Sequence, residues 1–142
     1  MKFPYGIADY YQLITEDYFY ADRTGHIPAI EAAGKQLLFL RPRRFGKSLL
    51  LSMLENYYDL AKAGEFERLF GHLAIGQNPT PSHNQYFVLK WDFSNVKARG
   101  ESSALEDALH NYLNGQIQDF ADYYQGRLAR PIHIKSGNAV AS

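Results

Sequence analysis

The sequence predicts an α/β domain in which helices cover both faces of a central, largely parallel sheet, a layered α/β/α arrangement. Three observations carry that expectation. "QLLFL", residues 36–40, is an apolar run without polar alternation, the pattern of a strand covered on both faces. From Lys47 to Leu60, residues Leu50, Met53, Leu54, Tyr57 and Tyr58 recur at helical spacing, with Leu49 and Leu51 widening the apolar sector. In "YFVLKWDFS", residues 86–94, Phe87, Leu89, Trp91 and Phe93 alternate against Val88, Lys90 and Asp92, as in a strand nearer a sheet edge.

The remaining elements follow in chain order. Tyr10, Tyr11, Tyr18, Phe19 and Tyr20 cluster in a segment that packs its rings onto the domain. Thr24 is placed to cap a short helix through Ala33, with Ile27 and Ile30 turned inward, Pro28 limiting its start and Gly34 at the left-handed position after its end. Phe66, Leu69, Phe70 and Leu73 mark a shorter helix, which the loop "GQNPTPSHN" terminates. A long helix begins at a capping box of Ser103 and Glu106, carries Leu105, Leu109, Tyr112, Ile117, Phe120 and Tyr124 on one stripe, and ends at Gly126. In "IHIKSGNAVAS", a further short strand or turn, Ser136 or Asn138 is placed to cap a following helix.

Composition narrows the function classes. A chain of 142 residues, 46% apolar, is long enough for one domain with a core. Lysine and arginine number 15, aspartate and glutamate 15, so a surface built as a whole for nucleic acid or anionic lipid is excluded and any positive site is local. Without cysteine there is no disulfide, thiol catalysis or cysteine zinc site. "MKFPYGIADYY" has no apolar signal core, and no apolar run spans a membrane, so a soluble, cytoplasmic protein with no membrane partner is expected.

The local positive site is "RPRRFGKS", residues 41–48, between the expected strand and the helix from Lys47. Each residue type suits phosphate binding in a P-loop. Gly46 lets the backbone approach phosphate oxygens, and Lys47 reaches the β and γ phosphates as a mobile charge. Ser48 offers its hydroxyl to Mg²⁺, and the free N–H groups of the helix start face the anion. Arg41 stands where the eight-residue Walker A signature has its first glycine, and Pro42 has no N–H, so donors come from Arg43 onward. A bare Gly-Lys-Ser or Gly-Lys-Thr recurs by chance in roughly one of ten to twenty chains of this length, so the flanking elements carry the weight. The rival function is a module whose Arg41–Arg44 basic loop grips a nucleic-acid backbone or a protein partner.

"RPRRFGKSLLLSMLENYYD" resembles the AAA-ATPase-like family of bacterial proteins, in which this degenerate P-loop is typical, and "PYGIADY", "YFYADRTGHI", "LFGHLAIG" and "YFVLKWDFS" resemble that family's flanks. The resemblance implies a P-loop NTPase-like fold and a predicted ATPase with ATP and Mg²⁺ as cofactors. It implies Arg43, Arg44, Phe45, Gly46, Lys47, Ser48 and Leu49 as nucleotide contacts, with Ser48 also the metal contact. It further implies that residues 1–142 are the N-terminal part of one ATPase domain, incomplete at the C-terminus. The acidic Walker B strand would then follow Ser142, as would any nuclease-like domain of the PD-(D/E)XK superfamily, with nucleic acid as a partner of the longer protein and oligomeric state open. Binding without hydrolysis is the expectation for this chain alone.

Other chemistry-bearing residues read as structural. Asp92 ends the alternating run but is placed at an edge, away from a P-loop strand. Asp22 and Thr24 suit a local Asx turn and helix cap beside the nucleotide pocket. His26, His72, His83, His110 and His133 lack metal-site spacing. Trp91 and the tyrosines suit core packing, and Glu101, Glu106 and Asp107 suit an acidic helix start.

Overall fold

Asp9 opens the first helix: its carboxylate accepts from the Gln12 amide at 3.0 Å, satisfying a donor that helix geometry leaves free. The computed structural model describes residues 2–96 and 102–142. Among them run α1 (Tyr10–Thr15), α2 (Ile27–Ala32), α3 (Lys47–Tyr58), α4 (Phe66–Phe70), α5 (Ala74–Gln77) and α6 (Ser102–Tyr123), with short 3-10 turns between. The chain divides into two units, Met1–Val88 and Leu89–Ser142.

In the first unit, α1 packs against α3 and α4 around an aromatic centre. The Tyr10 ring stacks on Phe70 at 5.1 Å, and Tyr57 meets Phe70 edge-on at 5.3 Å. Met53, Leu69, Leu73, Ile75 and Ile27 complete the buried cluster. Each such side chain contributes about 1.5–3 kcal/mol through removal from water. Tyr10 also spends its polar atoms: its hydroxyl donates to the Leu69 carbonyl at 2.8 Å and its amide to Ser52 Oγ at 2.9 Å. Burial, with the nearby Tyr20 and Asp22, holds the Tyr10 phenol well above its usual range.

The loop after α5 is sewn to the end of α3. Asn84 donates its amide to the Tyr57 carbonyl and its side chain to the Asp59 carbonyl, both at 2.8 Å. Thr80 Oγ1 and the Tyr58 hydroxyl both donate to Glu31 Oε1, at 2.8 and 3.0 Å, tying this loop to α2 as well. Gly34 follows the last residues of α2 at φ 120°, as its expected position requires.

The second unit is built on α6, which ends at Tyr123 and not at the expected Gly126; a turn follows the helix, and Gly126 lies in it at φ 80°. Buried Asn114 donates to the Lys135 carbonyl at 3.0 Å and accepts from the Ser142 hydroxyl at 3.0 Å, strapping the C-terminal segment to the helix. Asn138 caps the 3-10 turn Ala139–Ala141 by accepting from the Ala141 amide.

The expected α/β/α sheet is not formed. Among the described residues, β pairing is confined to two isolated parallel bridges, Lys2 with Tyr18 and Asp59 with Tyr86. Residues 37–40 run without a ladder, and Leu38 and Leu40 are 84% and 76% exposed. Among the described residues the run 86–93 pairs through the single bridge at Tyr86, and a 3-10 turn begins at Phe93. A strand needs neighbours for its N–H and C=O groups, and an apolar run cannot supply its own; the architecture is helical.

Smaller corrections share a local cause. Thr24 lies inside a 3-10 turn and does not cap α2; its hydroxyl instead accepts from the Ile75 amide in the first turn of α5. Ser103 lies one residue inside α6 and cannot cap it, and Glu101 lies outside the described residues. Helix α3 stops at Tyr58, since Asp59 turns to extended backbone, and it leaves Leu51 exposed.

Candidate functional site

The basic loop is fastened by its own lysine. Lys47 Nζ donates to the Arg41 carbonyl at 2.6 Å and to the Pro42 carbonyl at 2.7 Å, so one side chain joins the head of α3 to the opening of the loop. An ammonium has three N–H donors, which leaves one uncommitted among the described residues. Pro42 costs the loop a donor but not an acceptor, and its carbonyl is what Lys47 uses.

Backbone handedness alternates across the turn. Arg44 and Gly46 lie at φ 65° and φ 74°, with Phe45 between them on the negative side. Such alternation turns successive N–H groups into a concavity suited to anions. Arg43 and Arg44 form a turn that brings the Phe45 amide toward the Pro42 carbonyl, whereas the amides of Gly46, Lys47 and Ser48 find no acceptor among the described residues, and the Gly46 carbonyl accepts from Leu50 at 2.9 Å and starts the helix. A Cβ on Gly46 would meet nothing within 4 Å, so conformation alone calls for glycine there.

The electrostatics are one-sided. Residues 41–54 contain four cationic side chains and no carboxylate. Arg41, Arg43 and Arg44 are exposed and form no ion pair among the described residues. Arg41 lies over the Phe39 ring, 5.7 Å from its centroid. Ser48 is exposed near the head of α3. Phe45 is 65% exposed, whereas Leu49 turns back and packs against the core cluster. The loop thus brings Arg43, Arg44, Phe45, Gly46, Lys47 and Ser48 together on one turn, and Leu49 serves the helix.

Beside the loop lies a cavity of about 710 Å³, whose wall includes Arg41, Phe45 and Gly46 along with Phe39, Arg23 and His26. Sequence reading missed the last three; the signal was their place in "YFYADRTGHI" and "QLLFL", where spacing alone gives no direction. Asp22 braces this wall. One carboxylate oxygen accepts from the Thr24 amide at 2.8 Å and the Thr24 hydroxyl at 2.6 Å, and the other accepts from the Ala74 amide at 2.8 Å. Buried Thr24 in turn accepts from the Ile75 amide at 3.2 Å. Partial burial raises the Asp22 carboxyl, but the hydrogen bonds from Thr24 and Ala74 outweigh it and hold the group below the usual aspartate range.

Asp92, in the other unit, spends one carboxylate oxygen on the Ser94 amide and hydroxyl, at 3.0 and 2.6 Å, and these bonds lower its pKa. It caps a 3-10 turn. Among the described residues, no three His, Asp or Glu side chains gather as a metal site, and no helix is long and apolar enough to cross a membrane.

No curated protein and no solved structure matches the chain. The profile of one family, described as Predicted AAA-ATPase, matches residues 4–140. A predicted ATPase is a protein that takes a nucleotide. The chain belongs to the AAA-ATPase-like family.

Proposed function

We propose that residues 41–48 form a degenerate Walker A loop that binds the phosphates of a nucleoside triphosphate, ATP in the first instance. The observation that carries this reading is the Lys47 ammonium bonded back across the loop to Arg41 and Pro42, beside the Gly46, Lys47 and Ser48 amides, which have no acceptor among the described residues. Gly46 gives the turn its left-handed backbone. The Lys47 charge and the α3 amides would meet the β and γ phosphates, with Arg43 and Arg44 adding planar donors at the rim.

Magnesium fits as far as one protein ligand goes. Mg²⁺ keeps several waters and takes phosphate oxygens with one or two protein groups, and the exposed Ser48 hydroxyl is such a group. When bound, the ion would neutralise phosphate charge; Ser48 would hold it. The assignment is binding and not turnover, because hydrolysis also needs a carboxylate on the metal and an oriented water, and loop 41–48 carries no acidic residue.

Equilibrium titration of the 142-residue chain with Mg-ATP tests the reading. Saturable binding that Lys47→Ala weakens tenfold or more supports it; no binding of ATP, or equal binding by the variant, contradicts it.

A second reading draws on the exposed, unpaired Arg41, Arg43 and Arg44: the loop grips a nucleic-acid backbone. Affinity for an oligonucleotide would then fall steeply with salt and be indifferent to Mg²⁺. An ATP site would instead prefer the magnesium complex.

A further inference from the structure

We propose that His110 is a pH-sensitive catch, which holds residues 135–142 against α6 when it is neutral and releases them when it is protonated. The Ala139 amide donates to His110 Nδ1 at 3.0 Å. An imidazole nitrogen accepts only through its lone pair, so His110 in this bond is neutral and carries its proton on Nε2. A second proton, on Nδ1, turns that acceptor into a donor facing another donor, and the bond is lost.

The imidazolium then has a partner already in place. His110 Nε2 faces the Glu106 carboxylate at 3.8 Å, one helical turn back on α6. That pairing does not use Nδ1, so it strengthens on protonation while the bond to Ala139 disappears. The strapped state binds one proton fewer, and acid therefore favours release. The side chain is 17% exposed, so the ring can exchange a proton with solvent before the segment leaves.

The charged surroundings leave this balance to Glu106. Among the described residues it is the one carboxylate within 4 Å of His110. The segment that packs onto this part of α6 brings His133 and Lys135, and the turn bonded to Tyr112 brings Asp92, whose carboxylate is occupied by Ser94.

What the catch holds is a small closed set of bonds. Asn114 donates to the Lys135 carbonyl at 3.0 Å, the Ser142 hydroxyl donates to Asn114 Oδ1 at 3.0 Å, and the Lys135 amide donates to Ser142 Oγ at 2.7 Å. Buried Ala139 closes the contact. These other partners are backbone groups, an amide and a hydroxyl, none of which titrates near neutrality. Histidine is the side chain whose ordinary charge change falls between pH 5 and 8, so His110 is the proton-sensitive link of the set.

Amide hydrogen exchange and imidazole chemical shifts of the isotopically labelled 142-residue chain, followed from pH 8 to pH 5, test this. Expected is protonation of His110 Nδ1 with a fall of at least tenfold in the protection factors of Ala139 and Lys135 at the same midpoint, while Ile117 and Phe120 in α6 keep theirs. His110→Phe leaves both amides weakly protected at every pH. Glu106→Gln keeps the segment bound at pH 8 and moves release to lower pH, because the imidazolium loses its partner. Unchanged protection of Ala139 at pH 5 overturns the proposal. Loss of protection along α6 at the same midpoint, which marks global unfolding, or a pH-dependent release that persists in His110→Phe, overturns it as well.

Discussion

Lys47 Nζ donates to the Arg41 carbonyl at 2.6 Å, so the residue that opens the basic loop and the residue that opens α3 are held by one side chain. The bond joins the ammonium to a turn whose Gly46, Lys47 and Ser48 amides have no acceptor among the described residues, and it does so with an arginine at position 41. Only the Arg41 carbonyl is needed for this contact, which any residue supplies. An arginine in place of the first glycine is therefore compatible with a closed loop.

Lys47→Arg should not rescue nucleotide binding. A guanidinium is planar and larger, and cannot direct donors at two adjacent carbonyls and a phosphate as an ammonium does. Charge-assisted bonds of this kind are worth about 1.5–3 kcal/mol, so ATP affinity should fall by roughly ten- to a hundredfold, with folding stability within about 0.5 kcal/mol of wild type. Calorimetric titration beside urea denaturation checks both halves.

Gly46→Ala should destabilise the chain by about 1 kcal/mol. The new methyl meets no atom within 4 Å, so the cost is that of a side chain at φ 74°. Gly46→Asn, a residue that tolerates the left-handed region, should cost less. Reversal of that order in urea midpoints would point to a steric origin.

Asp22→Asn should cost about 1–2 kcal/mol at neutral pH, since three donors lose a charged acceptor. The folded carboxyl titrates below its unfolded value, so the unfolded state takes up the proton first as pH falls. The contribution is present above about pH 4 and is lost as pH drops through the lower folded value. The gap between wild type and variant should therefore be full at pH 7 and narrowed at pH 3, as measured by denaturant midpoints at each pH.

Tyr10→Phe should cost about 1–2 kcal/mol. It removes a buried hydroxyl and leaves the Leu69 carbonyl without that donor, while the ring stack on Phe70 survives. Thermal unfolding, with near-ultraviolet circular dichroism to confirm the preserved stack, measures it.

Asn56→Leu should be neutral or stabilising by up to about 1 kcal/mol. The side chain is buried in α3, its Oδ1 has no partner among the described residues, and its Nδ2 donates to the Ser52 carbonyl of its own helix. Burying an unpaired amide oxygen is costly, and an apolar group of similar shape removes that cost. A clear loss of stability in the urea midpoint would mean that the oxygen is satisfied in solution.

The helices and the loop were legible in the sequence where the signal is local. Lys47–Tyr58 follows from the apolar spacing of Leu50, Met53, Leu54 and Tyr57, and Gly34, just past the end of α2, takes the left-handed backbone expected of it. The left-handed turn at Gly46 was legible because it depends on residue type and not on distant partners. The sheet was misread for the opposite reason. "QLLFL" and "YFVLKWDFS" have strand composition, but a strand is a relation between segments, and period and propensity say nothing about whether a neighbour is present. Leu38 and Leu40 remain exposed, and nothing in the structure accounts for that exposure. The Asp22 latch to Ala74 spans 52 residues, and the cavity wall joins residues 20–26 to residues 39–50; neither pairing leaves a trace in local spacing.

Amide chemical shifts of the isotopically labelled chain during titration with Mg-ATP test the phosphate loop most directly. The prediction is saturable, downfield movement of the Phe45, Gly46, Lys47 and Ser48 amide protons, larger than elsewhere in the first unit and absent in Lys47→Ala. Unmoved amides at these four residues under saturating Mg-ATP, with any shifts confined to other parts of the chain, would contradict it.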